Sequence, residues 1–590
     1  MLQSEVVVLN VPPVKDRSAQ ALLDSLFQNH VSFPGLLPAS DEGVQHWVDS
    51  VLAALSLDEK IGQLFIVELP QQDLRRLVYD GALRAVEKYG VGGFLVRRLV
   101  APDEVFEVTR RLQAASSLPL FFAADYERGA GRFNNALTEL PSNMAIGATR
   151  DTLFASIAGR LTAIECRAIG INLLFAPVVD VNNNVANPII NIRSYGEDAA
   201  LVARMAAAFV QEAEANGVLT TLKHFPGHGN TEVDSHVRMG VLPGDRAALN
   251  RVELHPYHIL IGRRRPPAAV MSAHLWVPAI DTEPLPATFS RRLMSDLLRD
   301  SLGFDGLVIT DDVKMGALNR TYSLADRVVL PLQAGANLIL TPDNLGRAVQ
   351  AVREALQEGR LTEAALDVSV RRILSAKARA GLHRERYASP DLFAHIMEQG
   401  WGQHIAETMA AHAVTVLKEM LALPLRPAER IALVQLTNYR GSESIGAAME
   451  AFNTSLGGIP DSLHLRLDDN PSEREQAKVL ARVGEADVVV LALYLRLQSG
   501  RGEAGLLPGQ AALVQALVAQ EVPLVLVTFG NPYAVTTFVE ADAHVVAYDQ
   551  TIATVQAVAG VLRGVLPASG RLPITVDPYP YGSGIGAGRR

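Results

Sequence analysis

At 590 residues the chain is too long for one ordinary core, so two domains are expected, one of them large. Apolar residues make up 48% and charged residues 20%, a globular composition that excludes disordered and fibrous classes. The balance of 54 basic and 63 acidic residues leaves a formal charge of -9, which argues against a nucleic-acid partner. The one basic run, Arg263-Arg264-Arg265 before Pro266-Pro267, reads as a solvated turn.

Residues 1–45, with Pro12-Pro13, Pro34-Gly35 and Pro38, read as an N-terminal extension. Met1 to Asn10 lacks a basic segment followed by a long apolar core and a small-residue cleavage site, so no secretion signal is expected. With Cys166 as the only cysteine, no intramolecular disulfide is possible. The longest apolar runs, such as Val488 to Leu495, fall far short of the roughly 20 residues a membrane helix needs. A cytoplasmic protein with no membrane partner is the expectation.

Residues 46–380 alternate apolar β-like runs with amphipathic helical stretches, the pattern of a parallel sheet wrapped by helices. The expected strands are Ile61 to Val67, Gly92 to Val96, Leu118 to Ala124, Ile171 to Ala176, Val218 to Leu222, Ala268 to Ser272, Gly306 to Thr310 and Asn337 to Leu340. Eight such strands, with no phosphate-binding glycine fingerprint after the first, predict a (β/α)8 TIM-like barrel within the α/β class rather than a doubly wound sheet. Residues 381–412 read as a connector. Residues 413–590 then read as a second, smaller α/β sandwich domain, with apolar runs at Ile431 to Leu436, Asp487 to Leu495, Pro523 to Phe529 and His544 to Tyr548.

Polar groups cluster where the barrel strands end. Asp125 follows the third, Asp180 the fourth, Lys223-His224 the fifth, His274 the sixth and Asp311-Asp312 the seventh. In a closed barrel these ends converge on one mouth, where active sites of that fold are built. The densest stretch is Leu222-Lys223-His224-Phe225-Pro226-Gly227-His228-Gly229 with Asp234-Ser235-His236. Its glycines and proline predict an irregular loop starting at Lys223. Asp234 stands two residues from His236, close enough for a carboxylate to hold and charge an imidazole.

A metal site and a merely solvated loop are the competing readings of that stretch; against the metal, no His-x-x-x-His or Glu-x-x-His helix is present, and Pro226 and the glycines argue against a helix here. Each acid also has a bland reading. Asp311 could be only a helix N-cap, and Asp312 could serve in its place. His274 could simply line the mouth, and His228, between two glycines, reads as a brace for the loop.

These residues carry a resemblance. Leu57-Asp58-Glu59-Lys60-Ile61-Gly62-Gln63, Phe175-Ala176-Pro177-Val178-Val179-Asp180, Arg193-Ser194-Tyr195-Gly196-Glu197-Asp198, the Lys-His-Phe-Pro-Gly-His-Gly loop with its Asp-Ser-His, and Gly303 through Asp312 occur in the order known from glycoside hydrolase family 3. The chain resembles that family over most of residues 50–380 and more weakly over 410–577. Its Asp-Ser-His element resembles the β-N-acetylglucosaminidase branch.

The resemblance implies an exo-acting, retaining enzyme without metal or organic cofactor. It would remove terminal β-linked N-acetylglucosamine from an oligosaccharide or small-molecule substrate, in the turnover of cell-wall peptidoglycan fragments. It implies Asp311 as nucleophile, His236 as general acid and base, and Asp234 as the group orienting His236. Asp125, Arg132, Arg193, Lys223 and His224 would bind the sugar. The chain departs from the family pattern at Asp125-Tyr126-Glu127-Arg128-Gly129-Ala130, where Asp-x-Glu-Gly-Gly is usual, and at Lys314, where a small residue is common. A β-glucosidase or β-xylosidase of the same family, using Glu503 of the second domain, and a sugar-binding barrel that has lost catalysis are the alternatives. The sequence carries no signal for oligomeric state.

Overall fold

The computed structural model describes residues 35–38, 40–69, 77–97, 101–132, 136–400, 402–419, 423–426, 428–439, 441–467, 470–495 and 505–586. Most of the N-terminal extension, with Pro12-Pro13, and Glu503 lie outside the described residues. The chain forms two compact units. The first takes the described residues up to Glu139, then Ala155–Val181 and Val202–Gly402; the second takes Leu140–Phe154, Asn182–Leu201 and the described residues from Gln403 on. Two excursions out of the barrel sequence are therefore part of the second unit.

The first unit is a closed barrel of eight parallel strands, each paired with its sequence neighbours. In chain order they are β1 (Phe65–Glu68), β2 (Gly93–Leu95), β3 (Phe121–Ala124), β4 (Leu173–Leu174), β5 (Leu219–Phe225), β6 (Ala269–Ser272), β7 (Leu307–Asp312) and β8 (Leu338–Leu340). Strand β8 returns to β1, pairing Ile339 with Phe65 and Leu340 with Ile66. Phe65, Leu95, Phe121, Leu173, Leu219, Met271, Ile309 and Leu338 belong to one buried cluster. Both faces of a strand inside a ring of helices are covered, which is why these segments read as unbroken apolar runs.

Several boundaries shift by two or three residues, as where β3 begins at Phe121, β4 spans Leu173–Leu174 and β7 runs on to Asp312, and two further shifts have a local cause. Ile61 to Gln63 belong to a helix, Leu57–Gln63, and β1 begins at Phe65. A capping box decides it: Glu59 N–H donates to Ser56 Oγ, while Ser56 N–H donates to a Glu59 carboxylate oxygen at 2.8 Å, an arrangement that stabilises a helix start by about 1 kcal/mol. At the other, Lys223 and His224 lie inside β5 rather than in the loop after it. The pairing of β5 with β6 is interrupted by a register shift between Leu222 and Phe225, at the polar pair, and resumes where Phe225 pairs with Ser272.

Lys377 sits fully buried in the helix Glu363–Arg379, its Nζ donating to Gln63 Oε1 at 2.7 Å, and burial pushes its ammonium down to about 7. Apart from the strands, Val44, Val48 and Leu52 of the helix Glu42–Ala54 join the same cluster as Val370, Ile373 and Leu374.

The second unit is built on a six-stranded sheet: β9 (Thr415–Glu419), β10 (Ile431–Thr437), β11 (His464–Leu467), β12 (Val488–Leu495), β13 (Leu524–Gly530) and β14 (Ala543–Val546), in the order β9-β14-β13-β12-β10-β11. All pairs are parallel except β9 with β14. The four expected runs form its middle; β9 and β11 are two additional edge strands. Each is short and carries polar residues, so neither produces an apolar run. No helix among the described residues is long and apolar enough to cross a membrane.

Candidate active site

The C-terminal mouth of the barrel collects the polar residues that end its strands. Lys223 of β5 is the most deeply buried cation there, 1% exposed. Its Nζ donates to Asp125 Oδ1, just past β3, at 2.8 Å, and pairs with Glu127 Oε1 at 2.7 Å. A buried ammonium is tolerated when carboxylates surround it, and stripping one partner from such an ion costs on the order of 3 kcal/mol. Asp125 keeps a third of its side chain exposed, so it is held in place yet open to a ligand.

Asp180, fully buried beyond β4, fixes the next residues. Its Oδ1 accepts from the N–H groups of His224 at 3.1 Å and His228 at 2.6 Å, and its Oδ2 lies 2.7 Å from His224 Nδ1. Burial alone would raise this carboxyl; the imidazoles of His224 and His228 and the His228 amide outweigh it and hold the group ionised. The turn needs glycine at 227: φ is +139°, and a Cβ there would come within 2.7 Å of Glu253 Cβ. His228 then braces the loop, its Nδ1 lying 2.7 Å from Thr231 Oγ1 and its Nε2 3.0 Å from Ser235 Oγ.

Ser235 stands between the two residues of a dyad. Asp234 is buried and its Oδ1 lies 2.7 Å from His236 Nδ1, while accepting from the His236 N–H at 2.8 Å. His236 leaves 44% of its side chain exposed. With Nδ1 engaged by a carboxylate, Nε2 is the ring nitrogen able to exchange a proton with a ligand.

Asp311 and Asp312 are the last two residues of β7, and the structure separates them. Asp312 Oδ2 accepts from Arg97 at 2.8 Å and its Oδ1 from the Lys314 N–H at 2.9 Å. Asp311 accepts from the Asp312 N–H at 2.8 Å. Burial would raise its carboxyl, but the imidazoles of His224, His274 and His236 and the Asp312 amide outweigh burial and hold it well below the carboxylate range. His224 belongs to β5, His274 stands just past β6, and His236 is on the loop after β5. His274 is fully buried, with Nδ1 2.8 Å from Thr288 Oγ1 and Nε2 3.1 Å from the Asp312 carbonyl; burial lowers its basicity.

Of the residues expected at the site, Asp311, His236, Asp234, Asp125, Lys223 and His224 all lie in the first unit at this mouth. Arg132 is in the same unit, 3.4 Å from Glu139 Oε1, an acid it shares with Arg128 at 2.6 Å. Arg193 is in the Asn182–Leu201 excursion of the second unit, where its NH1 donates to the Ile189 carbonyl.

Three residues at the mouth escaped the sequence reading. Glu127 shares Lys223 with Asp125, and its signal is the spacing: positions 125 and 127 fall on one face of an extended chain. Glu68 ends β1 and Arg97 follows β2; both stand just past the apolar runs as read. Glu68 also accounts for the departure at Lys314, whose Nζ it binds at 2.6 Å, with Arg97 Nε at 3.5 Å from its other oxygen. Among the described residues no group of three or more His, Cys, Asp or Glu side chains is spaced to hold a metal ion.

Both units resemble known proteins. Residues 56–376 match the model of the glycosyl hydrolase family 3 N-terminal domain, and residues 414–580 that of the family's C-terminal domain. The chain is 30% identical to a beta-N-acetylglucosaminidase/beta-glucosidase of Cellulomonas fimi, over 90% of this chain and 96% of the relative. It is 28% identical to beta-hexosaminidase A of Pseudoalteromonas piscicida, over 83% and 90%. Among solved structures, it is similar to a family 3 beta-N-acetylglucosaminidase from Paenibacillus sp. str. FPU-7, with 31% identity and a TM-score of 0.77 over 89% of this chain and 99% of that one. A beta-glucoside phosphorylase is similar at 27% identity and a TM-score of 0.80, over 91% and 97%.

Proposed function

Because this chain belongs to glycosyl hydrolase family 3 and is a glycoside hydrolase, we propose that it is an exo-acting, retaining β-N-acetylglucosaminidase acting on cell-wall fragments, with Asp311 as nucleophile and the Asp234–His236 dyad as acid and base. One observation carries the reading: a carboxylate held ionised by imidazoles shares the mouth with an exposed imidazole whose other nitrogen is fixed by a buried acid. In the first step an Asp311 oxygen bonds to the anomeric carbon as the bond to the leaving oxygen breaks, and the proton on His236 Nε2 passes to that oxygen. In the second, water bonds to the anomeric carbon, its proton passes to His236, and the Asp311 carboxylate is released. Two displacements on one carbon retain configuration.

The mechanism divides the residues by task. Asp234 holds the imidazole ring through Nδ1 and leaves Nε2 to the proton transfers. Asp125 and Lys223 offer an acceptor and a donor to neighbouring sugar hydroxyls, and His224, set by Asp180, offers a further nitrogen. Arg132 is proposed to complete the sugar contacts. The relatives named as hexosaminidases support the N-acetyl sugar as substrate.

Nitrophenyl N-acetylglucosaminide and nitrophenyl glucoside test this directly. The N-acetyl substrate is expected to show a kcat/KM at least about tenfold higher, the scale on which a pocket discriminates one substituent. A preference for the glucoside would favour the β-glucosidase reading instead. Phosphorolysis is a second reading, favoured by the similarity to a beta-glucoside phosphorylase. An imidazole base repels an incoming phosphate less than a carboxylate base does, so sugar 1-phosphate is expected to accompany free sugar in phosphate buffer. Its absence would remove phosphorolysis and leave the hydrolase reading intact.

A further inference from the structure

We propose that Gly316 is a positioning residue for His236, a role that rests on the reading of His236 as the acid and base. The loop that carries His236 runs without helix or strand from Pro226 to Met239, and His236 is half exposed, so side-chain packing alone does little to place it. The backbone does. The Gly316 N–H donates to the His236 carbonyl at 3.1 Å, and the Ala317 N–H donates to the Ser235 carbonyl at 3.1 Å. These are the first amides of the short helix Gly316–Asn319, groups that have no partner within their own helix.

The helix is in turn rigidly tied to the nucleophile's strand. Between Asp311 and Gly316 the chain makes a tight turn in which the N–H groups of Lys314 and Met315 donate to Asp312, at 2.9 Å to Oδ1 and 3.0 Å to the carbonyl. Val313 is fully buried, and its carbonyl accepts from Arg327 at 2.8 Å. Asp311 and His236 are thus referenced to each other through a few residues of fixed backbone, rather than through the long stretch of chain that separates them in sequence.

Glycine is required at 316 for space. A Cβ there would stand 2.5 Å from the His236 carbonyl oxygen and 2.6 Å from that of Val237, so even alanine must push the loop away. Gly316 is not among the residues with positive φ, so alanine costs nothing through its own backbone. The effect of Gly316→Ala therefore acts on the loop.

The experiment compares kcat/KM of Gly316→Ala, His236→Ala and the parent for two N-acetylglucosaminides, one with a dinitrophenyl and one with a methyl aglycone. Dinitrophenolate leaves without a proton; methoxide does not. Misplacing the acid by about 1 Å is expected to cost about 10²-fold on the methyl glycoside and little on the dinitrophenyl one. The ratio of the two is independent of how much enzyme is folded. An equal loss on both substrates, or none on either, overturns the inference. If His236→Ala itself shows no leaving-group selectivity, the acid assignment has failed; if it does and Gly316→Ala does not, only the role of Gly316 has failed. Should Gly316→Ala not fold, hydrogen exchange on the parent decides: protected Gly316 and Ala317 amides support the clamp, and amides exchanging as freely as an open loop overturn it.

Discussion

Asp311→Ala is expected to lower kcat on nitrophenyl N-acetylglucosaminide by on the order of 10⁵-fold while the protein stays folded. The size follows from what the side chain does. Without it there is no covalent intermediate, and the residual rate is that of a bound sugar attacked directly by water. The fold should survive because the hydrogen bond Asp311 accepts comes from the neighbouring Asp312 amide, while losing the carboxylate's attraction to the surrounding imidazoles should lower the melting temperature modestly. The adjacent acid cannot substitute. Asp312 is committed to Arg97 and to the Lys314 amide, so Asp312→Ala should act mainly by loosening the Arg97 and Glu68 contacts, with a much smaller loss of kcat. Steady-state kinetics on both variants, alongside their melting temperatures, checks this pair. Loss of activity on changing Asp312 but not Asp311 would reverse the assignment.

His236→Ala should be the second most damaging change, costing about 10²- to 10⁴-fold on a substrate with a poor leaving group, the range supplied by a positioned acid or base. On a nitrophenyl substrate the loss should be smaller in kcat/KM, because the leaving oxygen needs less help, while turnover still suffers where water must be activated. Asp234→Ala should give an intermediate loss: the imidazole remains, without the 2.7 Å contact that holds its ring. Azide, a nucleophile that needs no base, should restore part of the turnover of His236→Ala. A variant with unaltered kinetics on poor leaving groups would exclude the imidazole from the proton transfers.

Much of this was legible because burial leaves a mark on composition. Each of the eight barrel strands is covered on both faces, and each showed as an apolar run; the residues directly after several of those runs then formed the mouth. The misjudged edges have local causes. Ile61 to Gln63 adjoin the apolar run Leu64 to Val67 but belong to the helix that the Ser56–Glu59 capping box starts. Lys223 and His224 read as loop because a lysine and a histidine rarely continue a buried strand; here Asp125, Glu127 and Asp180 compensate them. The edge strands β9 and β11 were missed because edges carry fewer apolar residues.

Charge partnerships were the least legible layer. Lys314 and Glu68 are 246 positions apart, and nothing local in either neighbourhood announces the other. Which of two adjacent aspartates is free to act is likewise a matter of tertiary partners, since Arg97 and the Lys314 amide claim only the second. The same holds for the clamp at Gly316, whose need for a bare Cα arises from the carbonyls of His236 and Val237.

The central claim is that a glycosyl group is passed to Asp311, and trapping it is the most direct test. Incubation with a fluorinated N-acetylglucosamine donor that slows the second step, followed by digestion and peptide mass mapping, should place the sugar on the peptide containing Asp311, with the bond on that carboxylate. A label on Asp312, Asp234 or Glu503 instead, or product released with inverted configuration and no adduct at all, would contradict the account.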